Sequence, residues 1–291
     1  MAAGLEAQVA WRSGGTTLVR AVPSAHACPT VPEESDLVHG VYEGGLKVWE
    51  ASLDLVDYLV SSGMGNTEHL GKDQDKDVTT PKIEEVESLR SSGHGRAHDS
   101  PNFERTRQNG ADVSRVVGRR ERVLELGCGH GLPGIVALRQ GLHVCFSDFN
   151  SEVIKEVTAP NVRLNVSDRF WGLAEYYSGD WSSLSPLLDG KEGGGRFDLI
   201  LTAETLYTTA VADKILGMIL RHLARDGQAL VASKRFYFGT GGSTQYFRNQ
   251  VALDGQLACA DVSVLNNGKG NIREVLRVSW VEDRVPPEAA R

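Results

Sequence analysis

Three glycines at alternate positions and one later carboxylate form the pattern in this sequence that most directly indicates chemistry. Gly127, Gly129 and Gly131 follow the apolar run at residues 123–126, and a helical apolar pattern comes next. This order is typical of a buried strand, a sharp turn that leaves room for a ligand, and a helix. Asp148 stands 21 residues after Gly127, at the end of the following apolar run. A carboxylate at that distance can accept hydrogen bonds from both ribose hydroxyls of a nucleoside lying over the turn.

The spacing of the glycines separates two cofactor classes. A dinucleotide-binding turn requires the pattern G-x-G-x-x-G, but the position of its last glycine is Leu132 here. Residues 125–131, Glu-Leu-Gly-Cys-Gly-His-Gly, instead resemble motif I of the class I S-adenosylmethionine-dependent methyltransferases. That cofactor has no pyrophosphate, so it needs no third glycine for a phosphate at the helix terminus. The competing interpretation is a tight strand-to-helix turn that binds no ligand.

Polar and aromatic side chains follow the second and third apolar runs. Residues 148–150, Asp-Phe-Asn, stand where ribose and adenine would lie, or they form an ordinary solvated turn. Gly179, Asp180 and Trp181 follow the third run. A carboxylate there can accept a hydrogen bond from the adenine amino group, and an indole can cover the adenine ring. The alternative at these positions is a helix-capping aspartate and a core tryptophan.

The fourth run is followed by Thr-Ala-Glu-Thr-Leu-Tyr at residues 202–207. Glu204 and Tyr207 are three positions apart, so a short turn can aim both side chains into one cleft, and we interpret them as the candidate catalytic pair. Cys128 and His130 have no oriented third group, which favours turn and packing roles over a catalytic dyad. The spacing of the eight histidines does not predict a metal site.

Alternating strands and helices must position these groups. The apolar runs predict strands at residues 123–126, 142–146, 174–178, 197–202 and 228–233, and a C-terminal hairpin at 257–265 and 272–281. Between them we expect a short helix from Ser151 to Val157, ended by Pro160, and a helix over 208–224, ended by Gly227. The fold class is therefore α/β, with a doubly wound, mostly parallel seven-stranded sheet and a C-terminal antiparallel hairpin. Its ligand lies outside the carboxyl ends of the strands, beside the first.

Composition excludes several other classes of protein. The net charge of −7 and the pI near 5.7 give no basic field for nucleic acid, whereas an acidic surface suits a basic protein partner. Four cysteines lie far apart with no C-x-x-C pair, which favours a reducing compartment and argues against structural zinc. No apolar run approaches the length of a membrane span.

The chain divides by composition into five parts. Residues 1–34 lack periodicity and predict a flexible tail, and residues 35–60 form a leading segment with a cover helix. The stripe of that helix runs from Leu46 to Val60 and includes Trp49. Residues 61–120 are rich in polar residues and predict a disordered insert. The core follows at 121–283, and 284–291 are a short tail.

A resemblance to one family rests on several collinear stretches. Residues 35–50, Ser-Asp-Leu-Val-His-Gly-Val-Tyr-Glu-Gly-Gly-Leu-Lys-Val-Trp-Glu, resemble the corresponding segment of the eukaryotic protein-histidine N-methyltransferases that modify a large-subunit ribosomal protein. Residues 123–129, 148–154, 158–162, 178–181, 201–207 and 233–239 are similar to that family as well. The insert at 61–120 departs from the family, which usually has a short link there.

The resemblance implies S-adenosyl-L-methionine as cofactor, S-adenosyl-L-homocysteine as product, and no metal. It implies cofactor contacts by the following residues: Trp49, Glu50, Ser52, Glu125, Gly127, Gly129, Gly131, Asp148, Phe149, Asn150, Gly179, Asp180, Trp181, Thr202 and Ala203. The implied reaction is transfer of the methyl group to a neutral imidazole nitrogen. We hypothesise that Glu204 or Tyr207 orients the ring or accepts its proton.

Two alternatives remain at this stage. The acid-x-x-Tyr motif after the fourth strand also resembles protein-lysine N-methyltransferases, and a non-catalytic S-adenosylmethionine-binding ribosome-assembly factor would share the glycine turn. We expect a protein substrate, a monomer, and no direct contact with nucleic acid or membrane. The sequence favours the cytoplasm and the nucleus, including the nucleolus, over plastid or mitochondrial targeting.

Overall fold

A computed structural model describes residues 7–13, 16–21, 44–64, 83–85, 121–191, 194–266, 268 and 271–281. Its strands are β1 (Ala7–Ser13), β2 (Thr16–Ala21), β3 (Ile83–Glu85), β4 (Arg122–Leu126), β5 (His143–Asp148), β6 (Ala174–Ser178), β7 (Phe197–Ala203), β8 (Leu223–Lys234), β9 (Leu257–Leu265) and β10 (Arg273–Trp280). Its α-helices are α1 (Glu50–Leu59), α2 (Leu132–Arg139), α3 (Ser151–Val153), α4 (Ala159–Asn165), α5 (Trp181–Asp189), α6 (Thr209–His222) and α7 (Thr244–Asp254). A π-helical turn, Ile154–Thr158, joins α3 to α4.

Eight strands form one sheet in the order β3-β6-β5-β4-β7-β8-β10-β9. The strands from β3 to β8 pair in parallel, and β10 pairs antiparallel with both β8 and β9. The predicted α/β class, the parallel sheet and the C-terminal antiparallel hairpin are confirmed. The three-residue strand β3 is an eighth strand, added at the edge by a segment that we expected to be wholly disordered.

The centre of the sheet is formed by the two most apolar strands. Four of the five residues of β4 are buried, and five of the seven residues of β7 are buried, which suits strands covered on both faces. They pair in parallel with Val123 opposite Leu199 and Leu126 opposite Thr202. Strand order reverses between β4 and β7, so their carboxyl ends flank the point where ligands bind in sheets of this kind.

Helices cover both faces of the sheet. One buried cluster joins it to α1, α2 and α4 through residues such as Leu55, Ile135 and Val162. The other joins it to α5, α6 and α7 through residues such as Ile215 and Phe247. The sheet therefore lies between two helical layers, the arrangement of a doubly wound domain.

The N-terminal region contains an antiparallel hairpin where we expected a flexible tail. β1 pairs with β2, and the side chains of Trp11 and Leu18 belong to the buried core. The Trp11 indole Nε1 donates a hydrogen bond to Asp57 Oδ1 at 2.8 Å, and Asn165 exchanges two hydrogen bonds with the backbone of Val19. The tail prediction is wrong for these strands because contacts with α1 and α4, rather than local periodicity, order them.

Two predicted helix ends are also wrong. Pro160 does not end the helix that starts near Ser151, because it falls in the first turn of α4, where a missing N–H costs least. The helix begins at Ser151 as predicted, and Asn150 occupies the N-cap position of α3. Helix α6 ends at His222 and not at Gly227, which lies within β8.

Parts of the predicted organisation fall outside the described residues. These are residues 1–6, 14–15 and 22–34 of the N-terminal tail, the stretch 35–43 of the leading segment, the insert apart from 61–64 and 83–85, and the C-terminal tail. Among the helices that the structure describes, none has the length and apolar character required to cross a membrane.

Candidate active site

A cavity of about 250 Å³ lies at the carboxyl ends of β4, β5, β6 and β7, beside the reversal of strand order. Its wall is built by the segment before α1, the turn after β4, and the loops after β5, β6 and β7. The lining residues are Gly44, Gly45, Lys47, Trp49, Ser52, Glu125, Gly127, Cys128, Gly129, His130, Gly131, Leu132, Asp148, Phe149, Gly179, Asp180, Trp181, Ala203, Glu204, Thr205, Tyr207, Val211 and Lys214. The cavity therefore occupies the position that the strand pattern predicted for a ligand.

The turn after β4 exposes bare backbone to this cavity. Gly127 has φ of +63°, and a Cβ atom built on it would lie 2.8 Å from Thr205 Cγ2 in the loop after β7. Only glycine adopts this conformation at low cost in so close a contact. The turn and the loop after β7 thus form one continuous wall.

Asp148 is held beside the turn by two backbone donors. Its Oδ2 accepts a hydrogen bond from Gly129 N at 2.9 Å, and its Oδ1 accepts one from Asn150 N at 3.2 Å. The carboxylate is buried and lines the cavity. This arrangement fixes an acceptor at the end of β5, as the spacing between Gly127 and Asp148 predicted.

Glu125 lies at the other end of the turn and connects it to α2. The carboxylate is buried, and its Oε2 accepts a hydrogen bond from Gly134 N at 3.0 Å. Burial raises the pKa of Glu125 well above its usual range. The residue therefore joins the end of β4 to the first turn of α2 at the cavity wall.

His130 fastens the segment before α1 over the glycine turn. Its Nε2 lies 3.1 Å from Leu46 O, and its Nδ1 lies 3.1 Å from Asn161 Nδ2. Because an amide NH₂ group only donates, Nδ1 accepts that hydrogen bond and Nε2–H donates to Leu46 O. Burial lowers the pKa of His130 to about 4, in agreement with a neutral ring.

The loop after β6 contributes Asp180 and Trp181. Asp180 Oδ1 accepts a hydrogen bond from Ser182 N at 2.8 Å, and its Oδ2 accepts one from Lys214 Nζ at 2.6 Å. Asp180 thus caps α5, the alternative that the sequence left open, and also lines the cavity. The Trp181 indole Nε1 is buried and has no hydrogen-bond partner among the described residues.

Glu204 is the most constrained side chain of the site. Its φ of +58° is the one positive value among the described residues other than glycine, a strained conformation typical of functional sites. Its Oε2 accepts a hydrogen bond from the Tyr237 hydroxyl, and its Oε1 accepts one from Ala51 N at 3.4 Å. Lys234 Nζ is 3.8 Å from Oε2. Burial raises the pKa of the Glu204 carboxyl, and the Tyr237 hydroxyl and Lys234 partly offset this effect.

Trp49 lies at the rim of the cavity, immediately before α1 rather than inside the helix that we predicted from Leu46 onwards. Its ring is contacted by two cations, with Lys47 Nζ 4.6 Å and Lys234 Nζ 5.1 Å from the ring centroid. Its indole Nε1 donates to Gly44 O at 3.0 Å. The ring is therefore positioned by both the leading segment and β8.

Most of the predicted site residues come together around the cavity. Those in its wall are Trp49, Ser52, Glu125, Gly127, Gly129, Gly131, Asp148, Phe149, Gly179, Asp180, Trp181, Ala203, Glu204 and Tyr207. Three others do not line it. Glu50 is exposed and pairs with Arg273, and Asn150 is buried at the start of α3. The Thr202 hydroxyl donates to Leu126 O at 2.9 Å and so connects two strands.

Other lining residues were not among the predicted contacts. They are Gly44, Gly45, Lys47, Cys128, His130, Leu132, Thr205, Val211 and Lys214. The Gly-Gly-Leu-Lys run of the leading segment was a usable signal for the first three. No local pattern indicates Val211 or Lys214, because α6 brings them to the cavity only after folding.

Neither thiol nor metal chemistry is suggested by the described residues. No group of three or more His, Cys, Asp or Glu side chains among them could hold a metal ion. Cys128 lines the cavity, but burial raises the pKa of its thiol well above the usual range. Burial likewise raises the pKa of Cys259 to about 11. Such thiols are weak nucleophiles.

Comparison with known proteins defines the class. Residues 101–249, about half of the chain, match a family model described as a methyltransferase domain. The chain therefore belongs to the methyltransferase domain family. A similar fold occurs in the O-methyltransferase TomG from Streptomyces achromogenes, solved with S-adenosylmethionine, at a TM-score of 0.44 and 15% identity over 55% of this chain and 74% of that one.

Among curated relatives, the chain is similar to proteins named for histidine methylation. It is 33% identical over 247 residues to the histidine protein methyltransferase 1 homolog of Dictyostelium discoideum, covering 85% of this chain and 61% of that one. It is 31% identical to the homolog of Bos taurus, covering 80% and 55%. The chain thus spans less than two thirds of the length of either relative. It is also 34% identical over 117 residues to EEF1A lysine methyltransferase 3 of Mus musculus, covering 40% and 46%.

Proposed function

We propose that this protein is an S-adenosylmethionine-dependent protein-histidine N-methyltransferase. The observation that carries the proposal is the single cavity wall in which the glycine turn and Asp148 lie beside the Glu204–Tyr207 loop. The first two provide a nucleoside-binding edge, and the loop provides polar side chains at the carboxyl end of the neighbouring strand. The names of the relatives from Dictyostelium discoideum and Bos taurus support histidine as the target.

The residues of the cavity fit S-adenosylmethionine. The turn at Gly127 leaves no space for a Cβ atom, Asp148 presents a fixed carboxylate for ribose hydroxyls, and the rings of Phe149 and Trp181 line the wall where adenine would lie. The cavity wall offers backbone, carboxylate and aromatic groups, which suit the uncharged adenosine part of the cofactor. When bound, the cofactor would supply an electrophilic methyl group.

Glu204 and Tyr207 are the groups that we assign to the substrate. Free histidine has a pKa of about 6.5, so much of it is already neutral at cellular pH and needs no strong base. The protein must instead orient the ring and hold the tautomer in which the reacting nitrogen is unprotonated. It must also accept a hydrogen bond from the N–H of the other nitrogen. A buried carboxylate at Glu204 can accept that hydrogen bond, and Tyr207 lines the same cavity. Proximity of this kind can contribute on the order of 7 to 11 kcal/mol at best.

We further propose a large-subunit ribosomal protein as the substrate, methylated before or during assembly. The net charge of −7 suits a basic partner of this kind. We expect a monomer that works in the cytoplasm and nucleus and makes no direct contact with nucleic acid. These points rest on the family resemblance of residues 35–50 and on composition.

The decisive experiment is methyl transfer from labelled S-adenosylmethionine to ribosomal proteins extracted from cells that lack the enzyme. We expect labelled methylhistidine in a large-subunit protein after hydrolysis and amino-acid analysis. The variants Glu204→Gln and Tyr207→Phe should lose turnover by about 10²-fold or more while S-adenosylmethionine still binds. Full turnover by both variants would contradict the assigned roles.

A protein-lysine N-methyltransferase is the second candidate. The similarity to EEF1A lysine methyltransferase 3 and the acid-x-x-Tyr spacing of Glu204 and Tyr207 favour it. A lysine ammonium titrates near ~10.4, so it must lose a proton before it can react. Labelled methyllysine in the same experiment would establish this candidate. Bound cofactor without any labelled product would favour a non-catalytic ribosome-assembly factor.

A further inference from the structure

Tyr237 connects the proposed substrate site to the loop between β8 and α7. Its hydroxyl donates to Glu204 Oε2 and lies 2.8 Å from Ser233 Oγ. Ser233 is fully buried, and Tyr237 stands 33 residues after Glu204 in the chain. Tyr237 is not part of the cavity wall, so any effect on the substrate must pass through Glu204.

The loop that carries Tyr237 is fastened to the loop that carries Glu204. Thr208 and Gly241 form an isolated antiparallel bridge, and Tyr237 N donates a hydrogen bond to Gly242 O at 3.0 Å. A Cβ atom built on Gly242 would lie 2.1 Å from Leu206 O, which shows how closely the two loops approach. Tyr237 is therefore held by backbone contacts in the place where its hydroxyl meets the carboxylate.

Glu204 needs such support because its backbone is strained and its second oxygen is weakly held. The hydrogen bond from Ala51 N to Oε1 is long, at 3.4 Å, and a carboxylate oxygen can accept a further donor. The Tyr237 hydroxyl on Oε2 fixes the side chain and leaves that capacity on Oε1.

We propose that Tyr237 is a positioning residue that keeps the Glu204 carboxylate ionised and oriented to accept a hydrogen bond from the N–H of the target imidazole. This inference rests on the proposed function and adds a residue to it. The role differs from that of Tyr207, which lines the cavity itself.

The charges around Glu204 agree with this assignment. Lys234 from β8 and Arg273 from β10 favour the ionised carboxylate, whereas Glu50 from α1 disfavours it. Burial raises the pKa of Glu204, and the Tyr237 hydroxyl is the largest influence in the opposite direction. Burial and the nearby Glu204 carboxylate raise the pKa of Tyr237 well above its usual range, so the hydroxyl keeps its proton and remains a donor.

The test removes one hydroxyl group. In Tyr237→Phe the ring still packs, but Glu204 loses its donor and its pKa should rise by about one unit. The acid limb of the kcat–pH profile should move to higher pH by the same amount, while the Kd for S-adenosylmethionine stays unchanged. The matched control is Tyr246→Phe, because Tyr246 also donates to a carboxylate, Asp213 at 2.9 Å, but on the exposed side of α7. We expect the control profile to overlay the wild type.

A second measurement does not depend on turnover. Carbon-13 NMR of labelled glutamate in the ligand-free protein, assigned by comparison with Glu204→Gln, should report the same rise for the Glu204 carboxyl in Tyr237→Phe. A double-mutant cycle should show that Tyr237→Phe causes no further loss of rate in the Glu204→Gln background.

The outcomes separate this inference from the proposed function. If the wild type forms methylhistidine but Tyr237→Phe leaves both the pH profile and the Glu204 titration unchanged, the inference is wrong and the function stands. If the wild type forms no methylhistidine, the proposed function fails. An altered Glu204 titration would then still establish the coupling, but the role toward imidazole would be overturned.

Discussion

The backbone at Gly127 decides whether the turn after β4 can hold a ligand. Its φ of +63° lies in the left-handed region, and the Thr205 methyl group occupies the space that a side chain would need. A side chain here would therefore strain the turn and push it away from the loop that carries Glu204. The conformation and the close approach act together, so both would be lost in one substitution.

Gly127→Ala should accordingly weaken S-adenosylmethionine binding by about 100-fold or more, because the turn must move to admit the methyl group. Isothermal titration calorimetry would measure it. The matched control is Gly217→Ala in α6, where the glycine is exposed and a Cβ atom would meet no neighbour within 4 Å. That variant should bind normally and unfold with a free energy higher by about 0.4 to 1 kcal/mol. Unchanged affinity in Gly127→Ala would show that the turn does not contact the cofactor.

At this scale the sequence indicated position along the chain well and side-chain direction poorly. The candidates at strand ends lie near the cavity because parallel strands present their carboxyl ends at one edge. Glu50, Asn150 and Thr202 are equally near in sequence, but they point to Arg273, to the interior and to Leu126, respectively. Tyr237 could not be found from local pattern, because its partner Glu204 lies in another loop.

The cover helix α1 is fastened to the sheet by a charged pair. Arg273 in β10 donates through Nε and Nη2 to the Asp54 carboxylate, and both side chains are largely buried, at 13% and 9% exposure. Arg273 also contacts Glu50 at 3.2 Å. Because α1 carries Ser52 and Ala51 to the site, this pair helps to position part of the cavity wall.

Arg273→Ala should lower the free energy of unfolding by about 3 to 5 kcal/mol, because it leaves the Asp54 carboxylate buried without its partner. Urea denaturation would measure the loss. The control is Arg221→Ala, whose partner Asp189 and own side chain are well exposed, at 36% and 57%. Such a pair contributes about 0 to 1 kcal/mol. Equal losses in the two variants would contradict the importance that we give to burial of the Arg273 pair.

Three strands are the elements whose bounds the sequence predicted best. The prediction for β6 matches Ala174–Ser178, and the hairpin strands differ from β9 and β10 by at most one residue at each end. The N-terminal hairpin was missed because its order comes from Trp11 and Asn165 contacts between distant segments. The helix end at Pro160 was wrong because a π-helical turn precedes it and places the proline in a first turn.

At the scale of the whole molecule, the order of strands places every functional loop at one edge. The reversal between β4 and β7 brings the glycine turn and the Glu204 loop together, and β8 adds Lys234 and the Tyr237 loop from the next position. The leading segment then closes over this edge through His130 and Leu46. The contact between His130 and Leu46 therefore holds the leading segment in the fold, and His130 also forms part of the cavity wall. Its side chain, an imidazole, is titratable.

The pH dependence of stability should reflect His130. The ring is neutral in the folded protein, with a pKa of about 4, whereas histidine in the unfolded chain titrates near ~6.5. Between these two pKa values the unfolded state binds a proton that the folded state does not bind. The contribution of His130 to the free energy of unfolding is therefore full above pH ~6.5 and is lost as pH falls toward about 4. At about pH 5 the loss should reach about 2 kcal/mol. Glu125 and Glu204, whose pKa values are raised, act in the opposite direction.

Comparison with His130→Gln isolates this contribution from the two glutamates. A glutamine amide can donate to Leu46 O and accept from Asn161 Nδ2, as the neutral ring does, but it does not titrate. Between about pH 7.5 and about pH 5, the difference in unfolding free energy should change by about 2 kcal/mol in favour of the variant. A contrasting variant, Asn161→Asp, places an acceptor opposite Nδ1 and should raise the pKa of His130 towards its unfolded value, so that the contribution of His130 to the loss of stability at low pH becomes smaller. Parallel stability curves for the wild type and His130→Gln would show that protonation of His130 costs the fold nothing.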